Sequence, residues 1–424
     1  MDLNLYSLES GCPLNEPQLN VYLDIIANEK WDSYHIPIFM EISKEHNRDF
    51  VHEALDEIIN VHPILGMCVS DELEVPYLIK GSPCPILMES DIDEEFILDF
   101  LNKPFDLNKN LCRFLIVENE DNYSLFAVFH HIIFDALSES VFKKDLQSIL
   151  NGESLDVDDS FLKASAFAEQ IKDTPEYTEA RDFYEKHLAG IDEVGILLDS
   201  ISPNGPGMLQ LDLDIDIGLL HSSLENYKVS ENVLFISVFA YTLSRFVGND
   251  KVLFNITENG RDRFQNLNSI GMYVNTLPIQ LNCENKDIGS FMNYVSSATY
   301  DVMKYNYYPF RLLANEFNVE SNLIFQFLPD WISVDDCNDD AMNFEDMGNS
   351  EKNNITDLTV EVVQTKDKYT LRITYSDKYS REFIESFASS YNLIIDGMLK
   401  HKGLSEINYI SNEGKQWNCI TSKH

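Results

Sequence analysis

Apolar positions recur at helical spacing between residues 48 and 61, where Phe50, Val51, Ala54, Leu55, Ile58 and Ile59 form one stripe. That pattern predicts an amphipathic helix, and His62-Pro63 ends it because the residue before a proline is driven out of the helical region. Two β-prone apolar runs, Cys112 to Val117 and Tyr123 to His130, flank the turn-rich Asn119-Glu120-Asp121-Asn122 and predict a hairpin near a core. The second run delivers His130 and His131. Past Asp135 the apolar period becomes helical, with Val141, Phe142, Leu146, Ile149 and Leu150 on one face until Asn151-Gly152 stops it. A strand therefore feeds a turn and then a helix.

Further along, the acidic stretch Asp156 to Asp159 leads into a helical run over roughly Phe161 to Leu188, which reads as a connector between two halves with the boundary near residue 175. Val233 to Phe246 is apolar nearly all round, as a buried helix is, and Gly248-Asn249-Asp250 supplies its stop. Strands are expected at Lys251 to Thr257 and Tyr273 to Leu281. Val334 to Asn354, dense in Asp, Asn and Glu, is expected to be an exposed, mobile loop of about 20 residues. The helix expected over Ser380 to Leu399 buries Phe383, Ile384, Phe387, Tyr391, Ile394 and Met398. No internal repeat is visible.

Composition narrows the function. With 44% hydrophobic and 24% charged residues, the 424-residue chain is globular and long enough for two domains. Its net charge of -40 repels phosphate backbones and anionic headgroups, which argues against nucleic acid or a membrane surface as partner; an acid-rich proteome or salty cytoplasm explains the charge better than a functional role does. The 7 cysteines include no C-x-x-C pair and no Cys/His cluster at metal-ligand spacing, so reduced thiols in a cytosol are expected. Met1-Asp2-Leu3-Asn4 lacks the features of a signal peptide, and no apolar run reaches the ~18 residues of a membrane span.

The chemistry concentrates in His130-His131-Ile132-Ile133-Phe134-Asp135-Ala136-Leu137-Ser138. Successive side chains of a strand point to opposite faces, so the two histidines cannot both face one cavity while the strand stays regular; one is structural and one is available. Metal chelation by the pair is disfavoured for the same reason, and no third ligand lies at useful spacing. Asp135 in the turn is placed to cap the following helix or to pair with a distant cation. An imidazole of ordinary basicity, pKa about 6.5, suits deprotonation of an amine or hydroxyl attacking an ester or thioester, which makes acyl transfer the natural chemistry.

His130 to Ser138 resembles the H-H-x-x-x-D-x-x-S motif of the condensation domains of nonribosomal peptide synthetases and their acyltransferase relatives. Pro13-Leu14-Asn15 with Gln18 is similar to the opening P-L-x-x-x-Q, and Pro104-Phe105-Asp106-Leu107 followed by Leu111-Cys112-Arg113 to the P-F-D-L-x-x-x-P-L-x-R segment. Downstream, Asn259-Gly260-Arg261-Asp262-Arg263 resembles a G-R-x-R loop, Ile270 to Pro278 an I-G-x-F-V-N-T-x-P strand, and Tyr308-Pro309-Phe310 a P-F element, all in family order. The tail from Ile410 through Trp417 to Thr421 looks like a linker entering an adenylation domain.

The resemblance implies a mixed α/β fold of two chloramphenicol-acetyltransferase-like halves, residues 1–175 and 176–408, arranged as a V-shaped pseudo-dimer around a central tunnel, with 409–424 as linker. It implies amide formation between a donor thioester and an aminoacyl acceptor, each on a peptidyl carrier protein, with a downstream adenylation domain and a cytoplasmic setting. No cofactor is bound by the domain itself; substrates arrive on the carriers' phosphopantetheine. In that scheme His131 is catalytic, as general base or as positioner of the amine. His130 and Asp135 support it, with Asp135 paired to Arg261 across the halves, Ser138 supports the turn, and Asn275 is a polar contact near the reacting centre.

Two departures stand out. Ala136 occupies a position usually held by glycine, where a positive φ or close backbone approach would be needed and a methyl group would narrow the channel. His62-Pro63-Ile64-Leu65-Gly66 replaces an arginine-bearing R-H-x-x-L-R, which predicts loss of a buried charge pair. The alternative functions are an acyltransferase using coenzyme A thioesters, and a degenerate domain that docks carriers without catalysis.

Overall fold

A computed structural model describes residues 11–28, 34–72, 75–191, 194, 197, 205–261, 268–284, 287–320, 323–330, 356–366 and 368–410. Two compact units emerge: the first takes the described residues of Met1–Tyr177 and Asn259–Asn275, the second those of Thr178–Glu258, Thr276–Asp335 and Asn354–His424. Helices and sheets mix in both.

In the first unit β1 (Cys12–Pro13), β3 (Met67–Ser70) and β4 (Tyr77–Lys80) form a small sheet. The main sheet has the order β2 (His35–Ser43), β7 (Asn122–His130), β6 (Cys112–Glu118), β5 (Ile86–Glu89). β6 and β7 are the expected hairpin, with Cys112 opposite Phe129, and β7 reads as a near-continuous buried run because it is central. The helix expected at 48–61 is α2 (Arg48–Val61), preceded by α1 (Glu16–Asn28) and started by Asn47, whose side chain accepts the Phe50 N–H. α3 (Glu94–Asn102) runs between β5 and β6; α4 (Ala136–Leu150) follows β7 and packs on α2. Phe129 and Phe134 stack at 4.1 Å beneath Phe142, filling the space between sheet and helix.

The connector differs from expectation. Instead of one helix over Phe161 to Leu188, the chain forms α5 (Ser160–Gln170), a 3-10 turn at Ile171–Asp173, and α6 (Pro175–His187). The proline at 175 pushes Thr174 into an extended conformation, and the helix breaks there.

The second unit is built on a six-stranded sheet, β10 (Asn275–Asn282), β9 (Lys251–Glu258), β11 (Leu323–Leu328), β12 (Leu358–Thr365), β13 (Lys368–Tyr375), β8 (Gly207–Asp212). β11 lies parallel to both β9 and β12. After α7 (Ile217–Tyr227), the helix α8 (Glu231–Val247) is buried continuously from Val233 to Ser244, and Gly248 ends it at φ 65°. α9 (Ile288–Lys304), α10 (Phe310–Phe317) and α11 (Arg381–Lys400) complete the unit. The loop expected at Val334 to Asn354 and the tail beyond Ile410 lie outside the described residues. Among the described residues no helix is long and apolar enough to cross a membrane.

Candidate active site

β7 stops at His130, and His131 opens a 3-10 turn, His131–Ile133. The two imidazoles are thus separated by a change of backbone as well as by strand alternation. His130 is 1% exposed, and its Nδ1 accepts the Ile132 N–H at 3.1 Å. Burial, reinforced by His35, His131 and Arg113, holds its pKa well below the ordinary value, so the ring is neutral with the proton on Nε2. Its back is covered by Phe105, edge-on at 5.7 Å. His130 is therefore spent on holding the turn.

His131 is half-buried. Its backbone N–H donates to the Tyr34 carbonyl at 2.8 Å, and the Tyr34 ring meets the His131 ring edge-on at 6.4 Å. Tyr34 reaches this position with φ 64°, a left-handed conformation that opposes an L side chain, and its hydroxyl is tied to Asp24 of α1 at 2.5 Å. Among the described residues Nδ1 of His131 is buried with no hydrogen-bond partner. From the other side Gln18, fully buried, donates to the Ile132 carbonyl at 2.7 Å, while it and Asn15 exchange hydrogen bonds between side chain and backbone. The opening motif thus packs against the turn that presents the histidine.

Below the turn, Asp135 does both things its position allowed. Oδ1 accepts the Ser138 N–H at 3.0 Å, capping α4, and the Ser138 hydroxyl at 2.8 Å. The Arg261 guanidinium donates to both carboxylate oxygens, at 2.7 and 2.9 Å, and the Tyr273 N–H adds a third donor group at 3.0 Å. Arg261 is fully buried; it also donates to Ser138 Oγ and the Ser269 carbonyl, and the Tyr273 ring lies 4.3 Å from its centre. Ser138 completes the set through Gly271, its Oγ accepting the Gly271 N–H at 3.0 Å while its single proton goes to Asp135. The expected Asp135–Arg261 pair is present, and both residues fall in the first compact unit, because Asn259–Asn275 clusters with it.

Two glycines allow that segment to approach. Gly260 has φ 68°, and a Cβ there would stand 1.9 Å from the Tyr273 carbonyl oxygen; at Gly271 it would stand 2.2 Å from the Phe161 ring. Asp262 and Arg263, the rest of the G-R-x-R resemblance, lie outside the described residues. Asn275 opens β10 and is half-buried; among the described residues no hydrogen bond joins it to the histidines or to this network.

Both departures resolve differently from expectation. Ala136 is the first helical residue of α4, not among the positive-φ positions, and is exposed, so its methyl group meets no backbone strain. At the second departure a buried charge pair is present: His62, 1% exposed, places Nε2 2.9 Å from Asp145 and Nδ1 3.4 Å from Asp158, an ion-pair distance without hydrogen-bond alignment. Burial opposes the imidazolium, but the two aspartates outweigh it and raise the His62 pKa above its ordinary value. The charge comes from α4 and from the loop before α5.

Sequence reasoning missed Tyr34, Tyr273 and Ser269. Tyr273 stands at the aromatic position of the I-G-x-F-V-N-T-x-P resemblance without a role having been given to it, and Tyr34 is placed by register, since His35 pairs with His130 across β2 and β7. Arg113 of β6, buried and lying 4.1 Å from the Phe105 ring, donates to the carbonyls of Phe100 and Leu101 at the end of α3. It satisfies two orphan acceptors of that helix with a cation at its negative end. Among the described residues no cluster of three or more His, Cys, Asp or Glu is placed to hold a metal ion.

The chain is 24% identical over 410 residues to a component of the plipastatin synthase of Bacillus subtilis (strain 168), covering 91% of this chain and 16% of that one, so it spans a minor part of the relative's length. Its fold resembles the condensation domain of the monacolin K polyketide synthase MokA, with TM-score 0.78 at 12% identity over 92% of this chain and 97% of that one. It equally resembles the X-domain from teicoplanin biosynthesis, with TM-score 0.77 at 16% identity over 96% and 100%. The family model described as Condensation domain matches residues 9–417, and on that match the chain belongs to the condensation-domain family of nonribosomal peptide synthetases.

Proposed function

We propose that this domain forms an amide bond between a donor acyl or peptidyl thioester and an acceptor aminoacyl thioester, each on the phosphopantetheine arm of a peptidyl carrier protein, in a cytoplasmic synthetase with an adenylation domain downstream. The observation that carries this reading is the division of labour among the titratable side chains of the motif: His130 is sealed and neutral, Asp135 is consumed by five donor contacts, and His131 is the one that keeps partial exposure.

Three atoms must be managed. The acceptor amine attacks the thioester carbonyl, the resulting tetrahedral centre carries negative charge on oxygen, and collapse expels the donor arm's thiolate while the new amide nitrogen loses a proton. His131 is the group available to take that proton or to orient the amine. Tyr34 fixes its backbone, Gln18 fixes the carbonyl of the next residue, and the Asp135–Arg261 pair anchors the end of the turn.

The likeness to an X-domain whose structure is described as a complex with OxyB favours a second reading, a docking domain without condensation. Incubating the domain with loaded donor and acceptor carriers and weighing the acceptor intact separates the two. The condensation reading expects acceptor-bound product that falls by about 100-fold or more in His131→Ala, the low end of what a positioned acid or base contributes. No product from the native chain favours docking; equal product from the variant removes His131 from the chemistry; and equal product from a free coenzyme A thioester makes the carriers dispensable.

A further inference from the structure

β5 lies at the edge of the first unit's main sheet and runs parallel to β6, with Ile86 opposite Phe114 and Glu89 opposite Val117. The same offset, continued two residues back, sets Cys84 opposite Cys112, and the Phe114 N–H bond to the Pro85 carbonyl at 2.9 Å holds that continuation in register. Side chains two apart share a face, so the two thiols sit side by side. Their sulfurs are 3.0 Å apart.

The geometry points to a modification site: we propose that Cys84 and Cys112 close reversibly into a disulfide that staples the edge strand β5 to β6. Neighbouring strands stand about 4.8 Å apart, inside the Cα separations of about 4.4–6.8 Å that disulfides span, so closure from 3.0 Å to a bond of about 2.05 Å needs a side-chain rotation rather than a backbone shift. Two weak hydrogen bonds are exchanged for the covalent link, from Cys84 Sγ to the Cys112 carbonyl and from Cys112 Sγ to the Leu65 carbonyl, both 3.1 Å. Neither is hard to give up.

The order of events follows from exposure. Of the free cysteines described, Cys12, Cys68, Cys112 and Cys283 are buried and Cys84 is half-buried, so Cys84 meets the oxidant. With a low-molecular-weight disulfide RSSR, the Cys84 thiolate attacks one sulfur and expels RS⁻; the Cys112 thiolate then attacks Cys84 Sγ of the mixed disulfide and expels the second RS⁻. Two protein thiols are oxidised and one RSSR is reduced to two RSH. Burial raises the Cys112 pKa, so the second step is faster at higher pH. The loop closed this way carries α3 and Phe105, whose ring covers His130.

The test uses the full chain, reduced and then held with excess glutathione disulfide, followed by denaturation, alkylation and peptide mapping without reductant. The expected result is a mass about 2 Da below the reduced chain before alkylation, two of the 7 thiols protected, a peptide pair joined through Cys84 and Cys112, and a melting temperature above that of the reduced protein. A reductant must reverse all four. Cys112→Ala should stop at a stable glutathione adduct on Cys84; should that variant fail to fold, Cys84→Ser, altered at the more exposed partner, must show no linked pair. A stable adduct on Cys84 in the native chain, a link between other cysteines, or no change in thiol count would overturn the proposal.

Discussion

Replacing Asp135 by asparagine keeps the shape of the side chain and removes its charge. The carboxylate accepts from Arg261 Nη1 and Nη2, from Ser138 N and Oγ, and from Tyr273 N, with its partner fully buried and itself 4% exposed. An amide offers one oxygen to these donors and turns an NH₂ group toward the rest. The helix cap, worth about 1 kcal/mol, can be kept by that oxygen, so the dominant loss is the guanidinium left buried without its counter-charge. Breaking a buried pair in this way costs roughly 3–5 kcal/mol, a fifth or more of the roughly 5–15 kcal/mol that holds an ordinary domain together. The double variant Asp135→Asn/Arg261→Met removes both charges and should be more stable than Asp135→Asn alone, because the pair replaced together no longer strands an ion. Urea unfolding followed by far-UV circular dichroism reads both. A single variant that loses less than about 1 kcal/mol, or a double variant whose loss is the sum of the two singles, would refute the argument that this pair is the anchor of the turn.

His62 predicts a pH dependence of known sign. Its folded pKa is raised, so its stabilisation is complete below about 6.5 and disappears as pH rises through the raised value; Asp158, lowered to about 2 by His62, Ser160 and Ser269 against the cost of burial, contributes above its ordinary value and loses that contribution as pH falls toward 2. The unfolding free energy of His62→Gln should therefore lie furthest below the native value near pH 5, by about 2 kcal/mol for hydrogen bonds to charged groups, and approach it in alkaline buffer, as urea unfolding at a series of pH values reads. A gap that widens with pH would reverse the assignment. Tyr34 predicts an inversion: at φ 64° glycine avoids the cost of roughly 1–2 kcal/mol that an L residue bears, so Tyr34→Gly should unfold at higher urea than Tyr34→Ala, against the usual order. Alanine proving the more stable of the two would show that the left-handed conformation is not held in solution.

Much of the fold was legible because its signals are local. The stripe at 48–61, the hairpin around Asn119 to Asn122 and the glycine stop at 248 need only near neighbours, and each has the element that its pattern implies. The single helix over Phe161 to Leu188 failed on an equally local signal, the proline at 175. What stayed illegible is the matching of partners far apart in the chain. Asp145 and Asp158 look like surface acids of a chain rich in them until they converge on His62, and that convergence replaces the charge pair whose absence the arginine-free segment implied.

The histidine pair shows how a correct inference can rest on an incomplete cause. Strand alternation alone assigns one imidazole inward and one outward, but does not say which, and a regular strand would have left His131 held only by its ladder neighbours. The backbone instead turns at His131, and three separate segments meet on the turn: the Tyr34 carbonyl on its first N–H, Gln18 on the carbonyl of Ile132, and Arg261 on the carboxylate that closes it. Each of these contacts goes to the backbone or to Asp135, and none to the imidazole of His131. That ring is thereby fixed in place through its main chain, its buried Nδ1 without a hydrogen-bond partner among the described residues, and a group that is to exchange a proton with a substrate must not be committed to the protein.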